Sequence, residues 1–213
     1  MDRLEIINSS LRQGNSGQTR KNVIQALDSG CDCRQIIESM LAVMEDVGRQ
    51  FKNNELFVPE VLIIGRAFNV ALDVMGPLLD AKQEYKGVVV IGTVQGDLHD
   101  IGKNLVKMLM VGTGAKVIDL GVDVKPEAFV EAIKAYQPDI VAMSALLTTT
   151  MIQIKQTIKA IEQAGLRDQV KIFVGGAPVT QHYAKNVGAD YYALDAGSAA
   201  EIVRQVYRNK VVE

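Results

Sequence analysis

The sequence predicts two kinds of structure in one chain: a bundle of four α-helices, then an α/β domain built on a five-stranded parallel sheet with helices on both faces. Three observations predict it. Apolar residues recur at helical spacing from Leu4 to about Leu79 with no strand-like alternation. After the polar stretch 80–87 the pattern changes to short apolar runs. Those runs then alternate five times with helical segments.

In the first half, Ile36, Ile37, Met40, Leu41, Met44 and Val47 form one helical stripe, and Val58, Val61, Leu62, Ile64 and Ala67 form another. Breaks at 14–17, 29–32 and 52–55 divide this half into four helices. Connections this short and polar suit antiparallel neighbours in a bundle. The change of pattern places a domain boundary between residues 1–84 and 85–213. In the second half the strands are expected at 88–94, 117–120, 140–145, 170–174 and 191–194, each run too short for a typical helix. Helices are expected to begin near Asp100, Pro126, Thr149, Pro178 and Ser198, with Gly112 and Gly114 stopping the first of them. Parallel strands need crossover connections and bury both faces, which makes this half flavodoxin-like, in the broader Rossmann-like class. Lys103, Asn104 and Lys107 read as the solvated face of the helix after Asp100.

Composition narrows the functional classes. The chain has 213 residues, 48% hydrophobic and 23% charged, which fits ordinary globular domains and excludes a disordered or fibrous chain. Basic residues number 23 against 25 acidic ones and are spread along the sequence, which argues against nucleic acid as a partner. No basic segment followed by an apolar run begins at Met1, and no stretch approaches the roughly 20 apolar residues of a membrane span, so a cytoplasmic protein with no membrane partner is expected. Cys31 and Cys33 are poorly spaced for a mutual disulfide and too few for structural zinc; they read as ordinary thiols near a helix start. His182 reads as a surface histidine on a helix.

Ligands of parallel sheets bind at the carboxyl ends of the strands. The first strand ends there in Gly96-Asp97-Leu98-His99-Asp100-Ile101-Gly102, the third in Ser144-Ala145-Leu146-Leu147-Thr148-Thr149-Thr150, and the fourth in Gly175-Gly176-Ala177-Pro178. Three loops on one rim bring residues distant in sequence to one ligand. A histidine in such a loop can donate a lone pair to a metal, while Asp97 accepts the other ring N–H and fixes the tautomer. Gly96 and Gly102 leave space for something broad and flat. The competing reading makes Asp97 and His99 only a turn and a cap for the next helix.

Asp97-x-His99-x-x-Gly102, then 41 residues, Ser144-x-Leu146, then 28 residues, and Gly175-Gly176 together resemble the cobalamin-binding signature of methionine synthase and of corrinoid methyltransferase subunits. The helical half resembles the four-helix cap that precedes this domain in methyl-carrying members. The resemblance implies that His99 is the lower axial ligand of cobalt, replacing the dimethylbenzimidazole base of the cofactor. It implies that Gly96, Leu98, Asp100 and Gly102 surround this ligand, that Ser144 hydrogen-bonds the displaced base, and that Leu146 lines its slot. Gly175 and Gly176 would let the nucleotide chain pass close to the backbone. Thr148 matches a position near the corrin or its tail. Thr150 matches the serine of the family's histidine–aspartate–hydroxyl relay, with an added methyl group. Thr149 reads as a helix start. Phe51, Val58 and Val61 match residues that cover the upper face of the corrin, where a dry lid protects a reactive carbon–cobalt bond; read alone, Val58 and Val61 would be bundle core.

The implied cofactor is cobalamin or a related corrinoid, as methylcobalamin and cob(I)alamin, with cobalt shuttling a methyl group between Co(I) and methyl-Co(III) in anaerobic one-carbon metabolism. The chain would be silent alone. Its implied partners are a substrate-specific methyltransferase, an acceptor methyltransferase using tetrahydrofolate or a thiol, and a reductive activase. Methanol, methylamine, betaine and methoxyaromatic compounds remain open as methyl donors. The alternatives are the cobalamin domain of a mutase, a cobalamin-dependent sensor, and a doubly wound domain that binds no corrinoid. The first is opposed by the helical half, and the second by the lack of a DNA-binding segment.

Overall fold

The computed structural model describes residues 2–75 and 85–210. Two compact units result, Met1–Glu84 and Tyr85–Glu213. The end of the helical pattern at Leu79 and the start of the polar stretch at Asp80 lie outside the described residues. No helix among the described residues is long and apolar enough to cross a membrane.

The described residues of the first unit form α1 (Arg3–Arg12), α2 (Ser16–Asp28), α3 (Cys33–Lys52) and α4 (Val58–Met75). Local chemistry sets the starts: the Asn15 side chain accepts the Gln18 N–H to cap α2, and Asp32 accepts the Arg34 N–H to cap α3. Cys33 is the first residue of α3, and both cysteines are free and partly buried. Gly14, at φ +65°, makes the turn after α1; a Cβ there would lie 2.7 Å from Ile63, so glycine is needed both for the backbone and for close approach to α4. The buried stripe of α3 is Ile36, Ile37, Met40, Val43, Met44 and Val47, and that of α4 runs through Val61, Ile64, Phe68, Ala71 and Met75. These are the 3.6-residue periods read from the sequence.

The second unit alternates strands and helices: β1 (Gly87–Thr93), α5 (Ile101–Val111), β2 (Ala115–Asp119), α6 (Pro126–Tyr136), β3 (Ile140–Ser144), α7 (Met151–Gln163), β4 (Lys171–Gly175), α8 (Gln181–Asn186), β5 (Tyr191–Ala193) and α9 (Ala196–Lys210). All strand pairs are parallel, in the order β2-β1-β3-β4-β5. Alternate strand residues serve opposite faces. Val90, Val141, Met143, Ile172 and Val174 pack with Phe129 and Ile133 of α6 and Ile154, Ile158 and Ile161 of α7. Val89, Ile91, Ile140, Ala142 and Phe173 pack with Met110 of α5 and Ala199, Val203 and Tyr207 of α9. The strand order reverses between β1 and β3, and such a switch point opens a crevice at the carboxyl ends of those two strands.

Three local expectations are corrected. Lys103 is not on a solvated face: it is 3% exposed, and its ammonium lies 2.6 and 2.7 Å from the two Asp119 carboxylate oxygens. Helix periodicity could not reveal this, because the partner sits 16 residues away at the end of β2. The cap position of α7 is Thr150 instead of Thr149, and Thr150 makes no capping hydrogen bond because its hydroxyl is used elsewhere. The helix expected near Pro178 begins at Gln181, after a turn closed by Val179 N–H to the Gly176 carbonyl and capped by the Thr180 hydroxyl.

Candidate functional site

The loop between β1 and α5 holds His99 by both backbone groups. Its N–H donates to Asp97 Oδ1 at 3.1 Å, and its carbonyl accepts from the Thr93 hydroxyl at 3.0 Å. The imidazole Nδ1 lies 2.7 Å from the same Asp97 oxygen, while half of the side chain stays exposed (50%). Asp97 is fully buried. Its second oxygen accepts the Leu146 N–H at 2.7 Å, the Leu147 N–H at 3.3 Å and the Thr150 hydroxyl at 2.7 Å. One carboxylate therefore ties the loop after β1 to the loop after β3, across the switch point.

Burial alone would raise the Asp97 pKa. The hydrogen bonds from Thr150, Leu146 and His99 outweigh it and hold the carboxyl well below the usual carboxylate range. An ionised carboxylate accepts only, so Nδ1 carries the proton, and in neutral imidazole Nε2 then presents a lone pair. The Thr150 hydroxyl also lies 2.9 Å from the Leu147 carbonyl. Its single proton goes preferentially to the charged acceptor.

The β2–α6 loop braces this arrangement from the other side. Asp123, at φ +53°, accepts the Gly96 N–H at 2.6 Å and donates its own N–H to the Asp97 carbonyl at 3.0 Å. Neither Asp123 nor Thr93 was singled out from the sequence, although Asp123 follows the β2 strand on the same rim. Gly96 adopts φ +78°. A Cβ at Gly102 would meet nothing within 4 Å, so the first turn of α5 faces open space. Asp100 occupies the cap position of α5.

Ser144 ends β3 and is partly buried; among the described residues none pairs with its hydroxyl. Thr148 is exposed. Leu98 (71% exposed), Ile101, Leu146, Leu147 and Leu194 (81%) leave apolar surface uncovered, all of them in or directly after segments at the carboxyl ends of the strands. Gly175 and Gly176 differ in kind. A Cβ at Gly176 would lie 1.9 Å from the Ala145 carbonyl oxygen, on a backbone at φ +120°, whereas one at Gly175 would meet only the Ala193 carbonyl, at 3.3 Å. Gly176→Ala is expected to destabilise the chain by about 2–3 kcal/mol and Gly175→Ala by less than about 1 kcal/mol, read by urea unfolding without cofactor. In the helical unit, Phe51 is half-buried, Val61 is buried and Val58 is 36% exposed.

No group of three His, Cys, Asp or Glu able to hold a metal occurs among the described residues. A metal held at this histidine would have to bring its other ligands with it. A macrocycle does so, and the open space, uncovered leucines and free Nε2 lone pair fit one. The B12-binding domain family matches residues 87–204, and a second B12-binding domain family matches residues 4–75. A trimethylamine corrinoid protein of Methanosarcina acetivorans is 45% identical over 186 residues, covering 85% of this chain and 86% of its own length.

The chain belongs to the corrinoid proteins.

A corrinoid protein of Desulfitobacterium hafniense is 40% identical, with 85% of this chain and 87% of the relative covered. Among solved structures, the methanol:cobalamin methyltransferase complex of Methanosarcina barkeri superposes with a TM-score of 0.88 at 26% identity, covering 97% of this chain and 80% of that one. The monomethylamine corrinoid protein of the same organism gives a TM-score of 0.56 at 32% identity, covering 94% and 96%. The cofactor of this corrinoid protein is accordingly cobalamin or a related corrinoid, and its fold is the helical cap followed by the Rossmann-like domain.

Proposed function

We propose that this corrinoid protein is a methyl carrier, with residues 1–84 as the cap and 85–213 as the cofactor domain, and that His99 is its lower axial ligand. The observation that carries the reading is the exposed imidazole whose Nδ1 is fixed by buried Asp97, leaving Nε2 as the donor. When bound, the corrinoid supplies a cobalt centre that accepts a methyl group and gives it up. Asp97 holds the imidazole in one tautomer, and Thr150 holds Asp97, so that a proton lost or gained at Nδ1 would be shared along that chain. Gly96, Leu98, Asp100 and Gly102 would frame the ring below the macrocycle, and Thr148 would lie against the corrin or its tail.

Ser144, whose hydroxyl has no protein partner among the described residues, would donate to the displaced base, Leu146 would line the slot, and Gly175 and Gly176 would admit the nucleotide chain. Gly176 has a reason of its own in Ala145, so Gly175 carries the test: Gly175→Ala should stay folded yet bind cobalamin about tenfold or more weakly, measured by equilibrium dialysis. Unchanged affinity would remove the tail from this edge. Phe51, Val58 and Val61 would shield the cofactor from solvent.

The methylamine relatives support a methylamine-specific methyltransferase as donor partner. An acceptor methyltransferase and a reductive activase complete the cycle, which is expected to operate in the cytoplasm. To test the carrier role, the chain loaded with hydroxocobalamin is reduced with titanium(III) citrate and offered methyl iodide or trimethylamine. Methyl iodide should transfer about one methyl group per chain, because a reduced cobalt is itself the nucleophile. Trimethylamine should transfer none until a methyltransferase is added. A loaded, reduced chain that takes no methyl group from methyl iodide would contradict the carrier reading.

A further inference from the structure

Lys103 is the third residue of α5, and everything local opposes an ammonium there. It is 3% exposed, so the charge is removed from water, and it sits at the positive end of the helix dipole. An apolar side chain of the same length would fill the place without either cost. The three ammonium hydrogens are nevertheless fully used, on Asp119 Oδ1 at 2.6 Å, Asp119 Oδ2 at 2.7 Å and Asn104 Oδ1 at 2.9 Å. Asp119 is itself held: its Oδ1 accepts the Gly121 N–H at 2.9 Å, and its Oδ2 receives the partly exposed Lys107 ammonium at 3.0 Å. Although burial works against ionisation, these partners keep the Asp119 carboxyl below its ordinary range.

The chain of contacts continues toward the site. With its amide oxygen on Lys103, Asn104 points its nitrogen at Asp100, and Nδ2 donates to Asp100 Oδ2 at 2.9 Å. Asp100 occupies the cap position of α5 yet makes no capping bond with its side chain, which is instead engaged by Asn104. Asp100 directly follows His99, whose own N–H and carbonyl are already fixed by Asp97 and Thr93. A polar chain thus runs from Asp119 at the end of β2 through Lys103 and Asn104 to Asp100, the residue after the imidazole.

We infer that Lys103 is a positioning residue for the axial imidazole: its buried pair with Asp119, transmitted through Asn104 and Asp100, fixes the start of α5 and with it the direction in which His99 presents Nε2. Loosening this chain lets the ring swing away from Asp97 into water, where the proton favours Nε2 and the donor lone pair is lost. The inference rests on the proposed axial role of His99, and it concerns the free protein as well as the loaded one.

The chain contains two histidines, His99 and His182, so labelling histidine with 15N gives one reporter and one internal control. Three variants are compared with the wild type: Lys103→Met, the double Lys103→Met/Asp119→Leu, which leaves no unpaired carboxylate, and Asn104→Ala, which cuts the chain at a partly exposed residue. In the free protein the ratio of Nδ1–H to Nε2–H tautomer at His99 should fall about fivefold in each, the size of effect that one lost hydrogen bond supports, with His182 unchanged. After loading with hydroxocobalamin, the fraction of His99 showing a cobalt-shifted Nε2 resonance should fall in parallel. Wild-type ratios and wild-type coordination in both Asn104→Ala and the double variant would overturn the inference. A wild-type chain whose His99 nitrogens do not respond to hydroxocobalamin would overturn the axial reading on which it stands, and the tautomer ratios of the free variants separate the two failures.

Discussion

His99→Ala is expected to keep the fold and to retain some methylcobalamin, while losing the absorption spectrum of the histidine-ligated cofactor. The side chain is half exposed and contributes no core packing, so its removal should change unfolding free energy by less than about 1 kcal/mol. The polar groups it leaves are tolerable, because Asp97 keeps four other donors, the backbone N–H at position 99 among them. Binding should weaken more than it would from loss of a mere partner of a metal ligand, which typically costs about 10- to 100-fold. Absorption spectra and equilibrium dialysis against methylcobalamin read both effects. An unchanged spectrum in this variant would refute the assignment of His99.

Asp97→Ala is expected to have the largest effect on the protein itself. It removes a fully buried acceptor shared by two backbone N–H groups after β3, the His99 N–H, the His99 ring and the Thr150 hydroxyl. Buried donors left without an acceptor cost far more than the bonds themselves were worth, and a loss of about 3–5 kcal/mol is expected in chemical unfolding. Asp97→Asn is the informative companion. Its amide nitrogen must face either the His99 pair of donors or the Leu146, Leu147 and Thr150 donors, so no orientation satisfies both loops.

The same carboxylate sets an acid dependence. Its pKa in the folded protein is depressed, so the unfolded chain binds the proton more readily. Its stabilisation is therefore complete above the unfolded value of about 4 and is lost as pH falls below it toward the folded value. The acid limb of the wild-type stability curve should flatten in Asp97→Asn. Parallel limbs in the two proteins would mean that Asp97 is not the buried anion.

The division of the fold was legible because the first half carries a helical period alone, as from Ile36 to Val47, whereas the second interleaves helical segments with short apolar runs around Val89, Val141 and Ile172 that mark buried strands. The sheet order was not legible, since nothing in a short apolar run says which neighbour it will pair with. The three loops were readable as a group because parallel topology forces them to one rim. Asp97 could be named as the partner of His99 from its spacing alone, but not as the link to Leu146 and Thr150, which depends on β1 and β3 being adjacent. Lys103 was misread for the same reason: its partner Asp119 comes from β2, and only the β1–β2 pairing brings the two together. The close approach of the Ala145 carbonyl gives Gly176 a structural reason that was not legible either, since it depends on β3 and β4 being adjacent.

Cobalt's lower ligand can be observed without any partner enzyme. The chain, labelled with 15N in histidine only, is loaded with unlabelled hydroxocobalamin, reduced to the Co(II) state and examined by electron paramagnetic resonance. Coordination by His99 should split each cobalt line in two, as a spin-½ nitrogen does. A threefold splitting from unlabelled nitrogen would show the cofactor's own base still on the metal and would contradict the account.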